Sequence, residues 1–150
     1  MNYLYLFSLT MLININCLSM HLDFSNAAKD IGQDHGKYEA RRLTAQNVNN
    51  TDLLNPLFEQ LDIAVKFKKD HPESTSQFKG FIVGFGATIL AHNATCLKTK
   101  KPVVTLDHAI FEGLVTKRQD DDVATKESRE ELIKLLRDTL TSMDLLTLDK

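Results

Sequence analysis

A histidine–proline pair, His71-Pro72, divides the middle of this chain into two apolar runs and limits where helices can stop. A residue before proline is pushed out of the helical region, and proline brings no amide hydrogen to a helix interior. Upstream, Asn55-Pro56 reads as an N-cap followed by proline at the first helical position. From there Leu57/Phe58, Leu61, Ala64/Val65 and Lys68 recur at spacings of three and four. The spacing predicts a helix ending at Lys69, then a corner. Downstream, Phe81, Phe85, Ile89, His92 and Cys96 share one face of a second helix, expected over Gly80–Leu97. The run from Lys98 to Pro102 breaks that pattern and reads as a loop.

Two further helices follow from the same argument. Thr105 is the expected cap of the first, whose stripe is Leu106, Ile110/Phe111 and Leu114 and which ends at Gln119-Asp120-Asp121-Asp122. Ser128-Arg-Glu-Glu131 is a capping-box pattern, and Leu132/Ile133, Leu136 and Leu140 form the buried side of the helix it opens. Glu130 and Lys134 are placed to pair on its wet side. No useful length alternates with period two, so the expected fold class is all-α. Before these helices, residues 20–42 are mixed and polar, with Gly32 and Gly36, and read as a mobile leader or a short frayed helix. Leu43-Thr44-Ala45-Gln46 then opens a first helix that the turn-favouring Asn47, Asn49 and Asn50 keep short. The helical domain is accordingly expected over residues 43–150.

Residues 1–19 carry no charge and hold an apolar core too short to cross a bilayer as a stable helix. With small residues at Cys17 and Ser19, this reads as a secretory signal peptide cleaved after Ser19; the alternative is an uncleaved anchor. Export suits two sequons, at Asn49 and Asn93, as glycosylation sites. Cleavage leaves Cys96 without an internal partner, so it is either a buried, inert thiol or bonded to another chain. Net charge is −2 with both signs interspersed, which argues against nucleic acid as a partner. After cleavage nothing calls for a membrane. His92 and Cys96, one turn apart, supply two metal ligands at most, and no further pair has metal-site spacing. Asp120–Asp122 lacks the alternation and glycine of a calcium loop. Neither a nucleophile–base arrangement nor a phosphate loop is present, and no enzyme is expected.

Four pieces in order resemble the globin family: Leu43-Thr-Ala-Gln46, the corner from Phe67 to Phe81, Gly84-Phe85-Gly86-Ala-Thr-Ile89-Leu90, and the stretch from Leu114 to Ser128. The corner, with a phenylalanine seven residues after the histidine, is the most specific piece. The resemblance implies a haem pocket bordered by Phe78, Phe81, Phe85, Ile89, Leu114 and Arg118. Phe78 takes the haem-stacking place, Phe85 the distal position, Ile89 the apolar distal wall, and Arg118 the proximal position. A guanidinium has no lone pair to give to iron. His108 and His92 are displaced by roughly 15 Å and 10 Å along their helices from the positions they would have to fill. The chain also lacks tryptophan, is shorter than the family between Phe81 and Phe85, and ends where an eighth helix would close the pocket.

Two readings stand side by side. One is a secreted globin-like protein that holds haem and a small gaseous ligand such as oxygen. The other is a secreted, haem-free helical protein that binds a small apolar molecule or a protein partner. On the second reading Arg118 pairs with a carboxylate, such as Asp120–Asp122, or with an anionic ligand.

Overall fold

Small residues recur every fourth position in two separated stretches, Ala28, Gly32, Gly36 and Ala40, and then Ser76, Gly80, Gly84 and Thr88. On a helix each set forms one ridge without side-chain bulk, which lets two backbones touch. The computed structural model describes residues 3–46, 48–118 and 123–147, with side chains from residue 24 onward, and brings these ridges together. They belong to α1 (Tyr3–Gln46) and α3 (Glu73–Lys98), which make the most extensive contact in the fold. A Cβ placed on Gly32 would lie 1.9 Å from the Gln77 carbonyl oxygen, and one on Gly80 would lie 1.9 Å from that of Lys29. Gly36 meets Phe81 and Gly84 meets Gln33 in the same way. Facing positions advance together along both helices, so α1 and α3 run parallel. Ser25 and Ser76 add a hydroxyl–hydroxyl bond of 2.6 Å at the start of the contact.

A parallel pair needs a return segment, and α2 (Asn50–Phe67) supplies it, packing on α3 and on α5 (Val123–Ser142). Leu54, Leu57, Phe58 and Leu61 on α2 meet Phe78, Phe81, Ile82, Phe85 and Ile89 on α3 in one buried cluster. Leu132, Ile133, Leu136 and Leu140 of α5 and Phe111 of the short α4 (His108–Thr116) complete it. β1 (Leu106–Asp107) and β2 (Leu146–Thr147) form a parallel pair of two residues each, with Leu106 opposite Leu146. That pair fastens the chain after α5 beside the chain before α4. The protein is all-α. Among the described residues α3 is long and apolar enough to cross a bilayer; its central place in the bundle accounts for the same composition.

Several boundaries differ from those expected. Residues 20–42, expected as a leader outside the domain, lie within α1, and Ala40 and Leu43 are buried in the core. A ridge of glycine and alanine carries no apolar period of the usual size, so its packing role is invisible to hydrophobic patterning. The asparagine run starts α2 six residues before Pro56. The Asn49 side chain caps by accepting from the Asp52 amide at 3.0 Å, and Pro56 lies inside the helix. Asn50 reaches across to accept from the Asp107 amide at 3.0 Å, tying the start of α2 to α4. Asp107, not Thr105, caps α4 by accepting from the Ile110 amide. α3 starts directly after Pro72 instead of at Gly80, and α5 starts at Val123, which puts Ser128 in its interior. Lys134 pairs with Asp138. Residues 119–122, including the three aspartates, lie outside the described residues, as do the side chains of residues 1–19.

Candidate functional site

The six residues expected around a cofactor do not share one cavity. Phe78, Phe81, Phe85 and Ile89 are buried along α3, and the Phe81 and Phe85 rings stack at 6.0 Å. The backbone at Phe81 and Phe85 lies against Gly36 of α1, and the Phe81 ring meets His35. Leu114 is buried on α4. Arg118, just beyond α4, lines a shallow hollow with Val115, Lys126, Glu130 and Ile133, whereas Phe81 lines a different hollow between α1 and α2.

Arg118 is held by α2 and by the end of its own helix. Its Nε donates to both carboxylate oxygens of Asp62, at 3.0 and 3.2 Å, and its Nη1 donates to the Leu114 carbonyl at 3.1 Å. The guanidinium carbon lies 4.9 Å from the centre of the Phe58 ring. Asp62 also accepts from Arg129 of α5, so one carboxylate of α2 gathers two guanidiniums. A second clamp repeats the design: Arg137 donates to Glu112 at 2.8 Å and lies over Phe111 at 5.6 Å. Phe58 and Phe111 are themselves 5.2 Å apart. Two tilted phenylalanine rings, each with a guanidinium over it, thus join α2, α4 and α5 in one cluster. A guanidinium held in this way does not fit the part of an iron ligand, so these residues do not make an axial haem site. Among the described residues no three His, Cys, Asp or Glu side chains converge as a metal site would require.

What the fold does build is a cleft along the seam of α1 and α2, which touch each other only lightly. One chamber, of about 450 Å³, has Phe81 and Leu43 in its wall and Glu39, Arg42, Asp52 and Glu59 around its rim. His35 stands edge-on to Phe81, with ring centres 5.1 Å apart. Glu39 accepts two hydrogen bonds from Arg42, at 2.7 and 3.1 Å, and these bonds raise the Arg42 pKa above its ordinary value. The second chamber, of about 460 Å³, is closed by Leu53, His92, Cys96 and the loop from Lys101 to Val104. Leu43 and Val48 border both chambers. No family model, curated protein or solved structure matches this chain. The cleft is read from its own lining: polar and charged side chains outnumber apolar ones in the first chamber, the second is mixed, and each is near the usual size of small-molecule sites.

Sequence reasoning placed Phe81 at a binding site and missed the other walls. Their signal was thin, since Val48 sits in an asparagine run and Leu43 opens a helix expected to be short. The two sequon asparagines also part company. Asn93 clamps the Val104 backbone in the manner of a strand partner, donating to its carbonyl at 2.7 Å and accepting from its amide at 2.7 Å. Its amide nitrogen, where a glycan would be attached, is thereby committed. Asn49 is exposed and uses its oxygen to cap α2, which leaves that role intact after glycosylation. Protein made in a glycosylating secretory host is expected to carry sugar on Asn49 and none on Asn93. Peptide mass mapping checks this, and an occupied Asn93 contradicts the clamp.

Proposed function

We propose that this chain is an exported, haem-free helical protein that holds a small amphipathic molecule in the cleft between α1 and α2. The observation that carries the reading is the pair of chambers that share Leu43 and Val48, the first with Phe81 in its lining among charged side chains. An apolar body fits against Phe81, Leu43 and Val48. Polar groups of the ligand meet the Arg42–Glu39 ion pair and the carboxylates of Asp52 and Glu59, which favours a ligand carrying both donor and acceptor groups. Export rests on the sequence of residues 1–19 and on the accessible sequon at Asn49.

The globin resemblance supplies the competing reading, in which Phe78, Phe85, Ile89 and Arg118 surround haem and oxygen is the ligand. Two findings favour the haem-free reading: Arg118 is occupied by Asp62 and Phe58, and the α3 phenylalanines pack in the core beside the glycine ridge of α1. The test is a haem titration of the purified protein, followed in visible absorption, alongside binding of an apolar fluorescent anion such as anilinonaphthalene sulfonate. The expected result is no Soret band, in the wild type or in Arg118→His, with saturable probe binding that Val48→Trp abolishes. A Soret band in the wild type restores the globin reading. Probe binding unaffected by Val48→Trp removes the cleft as the site.

A further inference from the structure

The far end of α3 carries cations without counter-charges. No aspartate or glutamate occurs from Ser74 to Leu106, although the chain as a whole is net acidic. Within that stretch Lys98, Lys100 and Lys101 cluster at the helix end. All three are exposed, and none has a hydrogen-bond or ion-pair partner among the described residues.

Apolar side chains left out of the core gather at the same end: Leu97 at 69% exposure, Val103 at 42% and Leu90 at 40%. Leu90 and Leu97 stand about one turn before and one turn after Asn93, on its face of α3. Asn93 holds the Val104 backbone by two bonds of 2.7 Å, which keeps Val103 close to that face. A sugar on Asn93 would stand among these side chains, so an unoccupied sequon and an open patch go together.

The helix end is shaped at a cost. The Lys101 amide donates to the Cys96 carbonyl at 2.8 Å and the Lys100 amide to that of Leu97 at 3.3 Å, the two bonds of a Schellman closure. Its turning residue is Lys100, in the left-handed region at φ 55°. Glycine usually holds this position, because a side chain is strained there. A lysine kept where glycine would fold better points to a use for its ammonium group outside the fold.

We propose that this end of the bundle docks on a bilayer rich in anionic headgroups. Leu97 and Val103 enter the headgroup layer, and Lys98, Lys100 and Lys101 meet the phosphates and carboxylates around them. Charge complementarity selects an anionic partner. The exposed leucine and valine select a bilayer over a soluble polyanion, which offers them no apolar medium. Docking of this kind needs no membrane-spanning segment and does not depend on the cleft between α1 and α2.

The test sediments the exported form, which begins at Met20 and keeps the whole described core, with sucrose-loaded vesicles. One set is phosphatidylcholine alone, and the other is phosphatidylcholine and phosphatidylserine in equal parts. The expected result is binding to the mixed vesicles only, weakened by high salt. Lys100→Gly is expected to raise the urea unfolding midpoint while weakening vesicle binding about fivefold, the share of one lysine near an anionic surface. Leu97→Ser is expected to weaken vesicle binding by roughly tenfold and to leave retention on a heparin column unchanged. Failure to sediment with the mixed vesicles, or equal binding to both sets, overturns the proposal. Undiminished binding of Lys100→Gly does the same. Vesicle binding indifferent to Leu97→Ser reduces the site to a general polyanion patch and overturns the bilayer as its partner.

Discussion

Replacing Gly80 by alanine is expected to destabilise the protein by about 2 kcal/mol or more, although alanine is the better helix former by about 1 kcal/mol. The reason is the Lys29 carbonyl oxygen, only 1.9 Å from where the new methyl group would stand. Ordinary contact begins near 3.4 Å, and the obstacle is backbone, so it cannot rotate away. Making room means moving α1 and α3 apart, which weakens dispersion contacts along the whole interface from Ser25 to Ala40. Gly32→Ala meets the Gln77 carbonyl at the same 1.9 Å and is expected to act alike. Gly113 on α4 provides the control, because a Cβ there meets nothing within 4 Å. Gly113→Ala is expected to stabilise by up to about 1 kcal/mol. Urea unfolding of the three variants decides the matter. If Gly80→Ala matches Gly113→Ala, the close approach of α1 and α3 is not what holds this fold together.

That interface also explains what could and could not be read from the amino acids. Helices α2 to α5 declare themselves through leucine, isoleucine and phenylalanine at spacings of three and four, since each buries one apolar stripe. Helix α1 buries Ala28, Gly32, Gly36 and Ala40, residues whose transfer from water contributes little. Its contribution is closeness, and a hydrophobic period cannot register closeness. The ends of the elements were misjudged for a related reason. Asn49, Asn50 and Asp107 favour turns when considered singly, yet each uses its side chain to satisfy an amide at a helix start or across the fold. Which amide an asparagine serves is decided by tertiary neighbours. The corner at His71-Pro72 was legible because a proline restricts its predecessor whatever surrounds it. There the His71 amide bonds to the Phe67 carbonyl at 2.8 Å, closing the last turn of α2.

The site was legible only in part. The α3 stripe of Phe78, Phe81, Phe85 and Ile89 identifies an apolar face, but a face of aromatics reads the same whether it meets a cofactor or another helix. What the stripe cannot display is α1, whose glycines bring its backbone against that of α3 at Gln77, Phe81 and Phe85. Arg118 illustrates the converse. An arginine near an apolar stripe invites a search for a carboxylate, and the neighbouring aspartates were the obvious choice. Its partner among the described residues is Asp62, 56 positions earlier in the chain, and its seat is the face of Phe58. Only the packing of α2 against α4 and α5 makes that pair. The thiol and imidazole at Cys96 and His92 were visible as neighbours one turn apart, whereas the chamber they border was not.

A core role for Phe85 carries the second large expectation. The ring is fully buried and stacks on Phe81, and the residue's backbone amide lies against α1 at Gly36. Truncation to alanine removes a phenyl ring from a region where neither the α1 backbone nor the leucines of α2 can collapse to fill the space. The expected loss is about 3–5 kcal/mol, a large share of the stability of a domain this size. A wall of a haem pocket would respond differently. There the alanine variant would fold nearly as well without haem as the wild type does, and the defect would show as weakened haem affinity. Adding haem to the wild type would in turn raise its unfolding midpoint by mass action. The decisive comparison is denaturant unfolding of wild type and Phe85→Ala, each with and without equimolar haem. On the packing account the variant loses the same several kcal/mol in both conditions, and haem leaves the wild-type midpoint unchanged. A wild type stabilised by haem, paired with a variant normal in its absence, would return Phe85 to the cofactor wall.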